Sequence, residues 1–187
     1  ETRILIQGKM FKFLCFGALL HWLFRLFQIV AHDVIIQDQN HPLAPLLVQV
    51  KFIVVNEELF FDFLRIQAVP VFLVSVLIGA GMICNDFRNN LMEVYFSKPI
   101  TWRDYALGKI LTLVAVGMTL TALPALVLVI MHNFLAPGLD TIQETLWWPI
   151  EIVAFSSLIV IPISLSILAC SAVMKSQNFL FFFVYIL

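Results

Sequence analysis

Apolar residues gather in long runs, and polar residues are confined to the stretches between them. A helix that crosses a bilayer needs about 20 mostly apolar residues. Residues 13–31 form the first such run, preceded by Arg3, Lys9 and Lys12. It is too long for the apolar part of a secretory signal and lacks a small-residue cleavage site. A second run covers residues 68–84, and its helix has room to begin earlier. The third, residues 110–131, is the cleanest, about 33 Å of helix at 1.5 Å per residue. Its Pro124 predicts a kink that neighbouring helices accommodate. The fourth, residues 148–173, carries Pro162. A last run, residues 179–187, gives only about 14 Å of helix, so it continues further or ends as a re-entrant stub. The pattern predicts an all-α, polytopic membrane helix bundle, a single transmembrane domain over residues 1–187.

The polar stretches set the orientation, because Lys and Arg concentrate in cytoplasmic loops. Residues 1–12 hold Arg3, Lys9 and Lys12; residues 85–109 hold Arg88, Lys98, Arg103 and Lys109; Lys175 follows the fourth run. Residues 132–147 hold Asp140 and Glu144 but no Lys or Arg. Basic loops therefore alternate with neutral or acidic ones, which predicts a cytoplasmic N-terminus. Trp147 and Trp148 fit an aromatic belt at the outer interface. Residues 32–67 fall outside. They open with turn chemistry between Asp33 and Pro45, and residues 46–67 then read as an amphipathic helix. Lys51, Glu58, Asp62 and Arg65 share one face of it. That helix either lies flat on the outer interface or extends the second span above the membrane.

Composition narrows the class. Of 187 residues, 61% are hydrophobic and 12% charged, with mean hydropathy +0.99. A soluble domain is about half apolar and a quarter charged. A net charge of −1 lacks the basic excess of a nucleic-acid binder. Disordered chains and disulfide scaffolds are excluded too, which leaves a membrane protein in contact with lipid. Cys15, Cys84 and Cys170 sit in or beside apolar runs, far apart, and read as small packed hydrophobes. The chain starts at Glu1 and ends within an apolar run, which reads as part of a longer subunit.

Residues 85–109 form the longest polar stretch assigned to the cytoplasm. Phe87, Leu91, Val94 and Tyr95 recur at helical spacing, with Arg88, Asn89, Asn90 and Glu93 opposite. The helix should stop by Ser97 or Lys98, since Pro99 disfavours helical dihedrals in the residue before it. Thr101 and Asp104 then make a capping-box arrangement at the start of the third span. A short amphipathic helix, a proline turn and a capped re-entry follow one another. Asp86 reads as a cap for the amphipathic helix.

The run GAGMICNDFRNNLMEVYFSKPITWRDYALGK resembles the signature loop of type-2 ABC transporter permeases, the membrane subunits of ATP-binding-cassette exporters with separate ATPase chains. Gly79, Gly81, Asp86, Glu93, Lys98, Pro99, Tyr105, Gly108 and Lys109 carry the likeness. It implies the six-span fold of that family, with four spans and part of a fifth present here. It implies an integral protein of the bacterial inner membrane, pairing with a second, identical or similar permease subunit. It also implies that residues 85–109 hold a coupling helix that docks in a groove of a cytoplasmic ABC ATPase. Glu93 and Arg88 would contact that ATPase. Lys98, Arg103 and Lys109 would orient the loop against anionic headgroups and the partner.

A phosphate-binding loop needs Gly, four residues, then Gly-Lys-Ser/Thr. Gly108-Lys109 is followed by Ile110, and Arg103 stands where the first Gly belongs. ATP and Mg are therefore expected on the partner ATPase, with no cofactor in this chain and no enzymatic activity of its own.

Other polar residues lie inside the runs. Arg25, with His21 and Gln28 near it, sits in the first apolar run, where an arginine costs about 2.5–3.5 kcal/mol at mid-helix. It either snorkels, lies in an interfacial elbow, or faces a polar cavity. His32, Asp33 and His41 have no known metal-site spacing. Ser156, Ser157, Ser164, Ser166 and Ser171 read as close-packing and interhelical hydrogen-bonding residues. Two alternatives stand beside transport: an intramembrane enzyme using His21, Arg25 or the outer acidic residues, and a non-transporting structural subunit of a larger membrane complex.

Overall fold

The computed structural model describes residues 9–36, 55–97, 100–135 and 145–173. Among them the structure is helical. Helix α1 spans Lys9–Val30 and runs on into a π-helical segment, Ala31–Ile36. Helix α2 spans Glu57–Gly79. Asn56 starts it in extended conformation, its side chain accepting from Leu59 N at 3.2 Å. Glu57 and Glu58 in the first turn suit the positive end of the helix dipole. Residues 57–67 thus extend the second span instead of lying flat as a separate helix; residues 46–54 are outside the described residues.

Two short helices follow, α3 (Cys84–Arg88) and α4 (Leu91–Phe96). The single amphipathic helix expected here is broken at Asn90, whose φ of 54° is left-handed. Asparagine tolerates that conformation better than most residues. Helix α5 (Trp102–Leu135) has 34 residues, about 51 Å, so its polar ends overrun a hydrocarbon core of about 30 Å. Helix α6 (Trp148–Val173) has the bounds of the fourth apolar run. Residues 179–187 lie outside the described residues.

Helices α2, α5 and α6 pack on one another, and α1 packs on α2 and α5. One apolar cluster joins Ile29 at the end of α1, Leu59, Phe60, Phe63 and Leu64 at the start of α2, Leu128 and Val129 late in α5, and Ile152 early in α6. A second joins Val74 and Ile78 late in α2, Leu113 early in α5, and Ile167 and Leu168 late in α6. Successive long helices therefore run antiparallel, as alternating basic loops require. The α3–α4 segment caps the end where α2 finishes and α5 begins; we call this the loop end.

Two glycines bring α6 close. A Cβ on Gly117 would lie 2.5 Å from Val160 Cγ1, and one on Gly79 2.6 Å from Ile167 Cγ2. Small residues at such crossings draw membrane helices together by packing. All four long helices are long and apolar enough to cross a membrane. Their outward faces carry Phe13, Phe16, Leu111, Ile130, Leu158 and Leu165, the surface an integral membrane protein turns to lipid.

Proline chemistry ties α1, α2 and α5 together. Pro124 has no N–H for the carbonyl of Leu120, four residues earlier. Gln67 Nε2 on α2 donates to that carbonyl at 3.1 Å, and Trp22 Nε1 on α1 donates to the carbonyl of Pro124 itself at 3.1 Å.

Candidate functional site

At the loop end, α2 ends at Gly79 and the chain turns through Ala80–Ile83 into α3. The turn leaves backbone groups to be satisfied, and Ser171 on α6 takes three of them. Its Oγ accepts from Ile83 N at 3.2 Å and Cys84 N at 3.3 Å, and donates to the Ala80 carbonyl at 2.9 Å. Ser171 thus makes the interhelical hydrogen bonds its reading from sequence expected, and it serves as the cap of α3. Asp86 is not that cap: it sits inside α3, buried, and the N-cap position is Ile83.

Asp86 instead clamps the loop to α5. Its Oδ2 accepts from the Tyr105 hydroxyl at 2.7 Å and pairs with Lys109 Nζ at 2.8 Å. Lys109 also donates to the Met82 carbonyl at 3.0 Å and lies 5.5 Å from the centre of the Tyr105 ring. Tyr105 and Lys109 are one turn apart on α5, so both reach the same carboxylate. Lys109 is spent inside the protein and does not face headgroups or a partner, as its charge suggested. Tyr95, Phe96 and Trp102 surround the Tyr105 ring at centroid distances of 5.6, 6.4 and 5.8 Å. The clamp is therefore bounded by aromatic surface.

The rest of the expected site faces outward. Arg88 and Glu93 are exposed, and so are Phe87, Val94 and Phe96. Met92 packs on the apolar cluster beneath, which holds α4 down at one side. The stripe of Phe87, Leu91, Val94 and Tyr95 is not a single buried face, because the break at Asn90 turns Phe87 out. Arg103 is exposed, and Gly108 has open space where a Cβ would stand. Lys98 and Pro99 lie outside the described residues. The Thr101–Asp104 capping box is present: Asp104 Oδ2 accepts from Thr101 N at 3.1 Å, and Asp104 N donates to Thr101 Oγ1 at 3.3 Å. The Thr101 hydroxyl also donates to Asp104 Oδ2 at 2.7 Å, and that bond, with the one from Thr101 N, holds the Asp104 carboxyl below the usual carboxylate range.

Inside the bundle, His21, Arg25 and Gln28 do not form one site. His21 Nδ1 donates to Gln67 Oε1 at 3.3 Å, and its ring stacks on Phe63 at 5.1 Å. Arg25 donates to Gln28 Oε1 at 3.0 Å, and both are buried. Arg25 thus turns inward and does not snorkel.

A second cluster, at the far end, was not legible in sequence. Asp33 Oδ1 accepts from His32 Nδ1 at 2.8 Å and Oδ2 from His132 Nδ1 at 2.7 Å. His132 stacks on Trp148, which donates to Glu57 at 3.3 Å. The third span was expected to end at Met131, so His132 read as loop; α5 continues to Leu135 and makes it a helical partner for Asp33. His41 lies outside the described residues.

Among the serines of α6, Ser157 and Ser166 bond to the Val153 and Pro162 carbonyls of their own helix. Ser156 and Ser164 are buried against the bundle. Compared with known proteins, the chain matches no protein-family model, no curated protein and no solved structure.

Proposed function

We propose that the chain is a membrane permease subunit of a type-2 ATP-binding-cassette exporter, coupling ATP hydrolysis on a separate cytoplasmic ATPase to transport. In this reading the fold is completed by further spans to six, and a second permease subunit forms the other half of the membrane domain. ATP and Mg are held by the ATPase, and the loop end faces the cytoplasm of a bacterial inner membrane.

One observation carries the reading: Asp86 binds Tyr105 and Lys109 together, while Arg88, two residues on, and Glu93 in α4 stay exposed. A coupling element has to be stiff toward the bundle and open toward its driver. The Asp86 clamp ties α3 to α5, and Ser171 ties the same turn to α6. A push on α4 is then passed to two spans at once without first bending a loose loop. Two exposed charges, Arg88 and Glu93, are the polar part of the docking face; Val94 and Phe96 are its apolar part.

The test is co-purification with the cognate ATPase from detergent. Glu93→Arg reverses the charge of an exposed residue, so insertion and bundle stability should hold while recovery of the ATPase falls. Undiminished recovery would remove Glu93 from the docking face.

A further inference from the structure

Helix α2 turns charged side chains outward within the apolar depth of the bundle. Glu58, Asp62 and Arg65 are exposed, and with Val69 they follow one another at steps of 4, 3 and 4 residues, so they share one face. Gln67 fixes their depth. It donates to the Leu120 carbonyl, so the two residues stand at one level. Leu120 lies midway along the apolar run of residues 110–131, about 15–16 Å from either end. Arg65 and Asp62 precede Gln67 by two and five residues, about 3 and 7.5 Å toward the far end. A hydrocarbon core of about 30 Å reaches about 15 Å to each side of its centre, so both lie inside it. Among the described residues, neither has an ion pair within 4 Å. The Arg25 guanidinium on α1, bonded to Gln28, is near enough to feel the Asp62 charge but does not close on it.

We propose that this face of α2 is the interface with a second copy of the chain, closed by two reciprocal Asp62–Arg65 pairs. The inference names the partner and the face for the permease pairing proposed above; it rests on that pairing but not on any ATPase. Three features select this occupant. An ionised side chain near mid-membrane faces protein or a water-filled cavity, because hydrocarbon supplies no counter-charge. Closing Asp62 on Arg65 of its own helix would leave both turned to hydrocarbon. Next, the stripe complements itself. Two copies inserted in the same sense are related by a twofold axis along the membrane normal, and each presents the same residues at the same depth. Asp62 and Arg65 differ by three residues, about 4.5 Å in height, which an arginine side chain spans. Each Arg65 then meets Asp62 of the other copy, and the charge-assisted pair forms twice. Last, steps of 4 and 3 residues are the repeat at which two parallel helices bring a seam together. Residues 174–187 offer no such complement, since Lys175 is their one charge and no carboxylate is there to answer Arg65.

Self-association is measured by energy transfer between copies of the full chain fused to donor and acceptor fluorescent proteins, in phosphatidylcholine vesicles at increasing protein-to-lipid ratio. Asp62→Asn strands two arginines in a homodimer, and Arg65→Gln strands two aspartates. Both changes take charge out of the bilayer and neither touches the core, so insertion should hold. Each variant alone should associate about thirtyfold more weakly than the parent, the ratio for 2 kcal/mol at 1.4 kcal/mol per tenfold. Donor-labelled Asp62→Asn mixed with acceptor-labelled Arg65→Gln keeps one Arg65–Asp62 pair, and should associate at least about tenfold more tightly than either variant with itself. A monomeric parent would overturn the proposal. Parent-like association of either variant would do the same, with the stripe facing water or a different chain. A mixture no tighter than the single variants would also sink it, since the pair would then not cross between copies. The exporter reading fails separately, on recovery of the ATPase.

Discussion

Asp86 is the residue on which the loop end turns. Removing one partner of a buried ion pair strands the other and costs about 3–5 kcal/mol when both are fully enclosed. Here the Lys109 side chain is 23% exposed and keeps the Met82 carbonyl, so the cost is smaller. Asp86→Ala should lower unfolding stability in detergent by about 2–3 kcal/mol. Lys109→Met should cost a similar amount, about 2–3 kcal/mol, since it strands the more deeply buried Asp86 carboxylate with only the Tyr105 hydroxyl. A loss below about 0.5 kcal/mol from either change would contradict the clamp geometry. Part of this was legible. Tyr105 and Lys109 stand at a helical spacing, and their resemblance-bearing positions marked them. That they converge on Asp86 was not, because the meeting depends on how far the chain turns between Gly79 and Cys84. Ser171 was marked as an interhelical hydrogen-bonding residue, but its partners at Ala80, Ile83 and Cys84 were hidden for the same reason.

At the scale of elements, the apolar runs gave the long helices, whose polar ends reach further, as where α5 covers Trp102–Leu135 against a run of 110–131. Helix α2 begins at Glu57 because Asn56 caps it, which was available in sequence as Asn before two glutamates. The break between α3 and α4 was signalled by the Asn89–Asn90 pair, which a 3.6-residue periodicity overrides when read alone. Prolines supplied a further constraint. Pro124 frees the Leu120 carbonyl, and Gln67 answers it from the neighbouring helix. Gln67→Leu should cost about 1–3 kcal/mol by leaving that carbonyl and His21 unpaired. In a Pro124→Ala background the restored N–H serves the carbonyl, and only the His21 part of the loss should remain. A double-mutant cycle of unfolding free energies measures the difference; strict additivity would mean that Gln67 does not serve the proline.

At the scale of the whole molecule, antiparallel long helices put α3 and α4 at one end and the Asp33, His32 and His132 cluster at the other. The two ends differ in kind. The far end closes Asp33 on His32 and His132 and, among the described residues there, leaves only acidic charges exposed, Glu57, Glu58 and Glu151, whereas the loop end pairs Asp86 with Lys109 and leaves charges of both signs, Arg88 and Glu93, outward. Four apolar runs and the alternation of basic loops were enough to read the bundle, since burial in lipid leaves the backbone little choice but helix.

The most direct measurement is site-specific photocrosslinking in intact cells, with a photoreactive amino acid in place of Glu93. The account predicts a crosslink to a soluble chain that contains a phosphate-binding loop, lost when Arg88 is also replaced by Glu. Crosslinks confined to lipid, or to proteins on the outer side of the membrane, would contradict it.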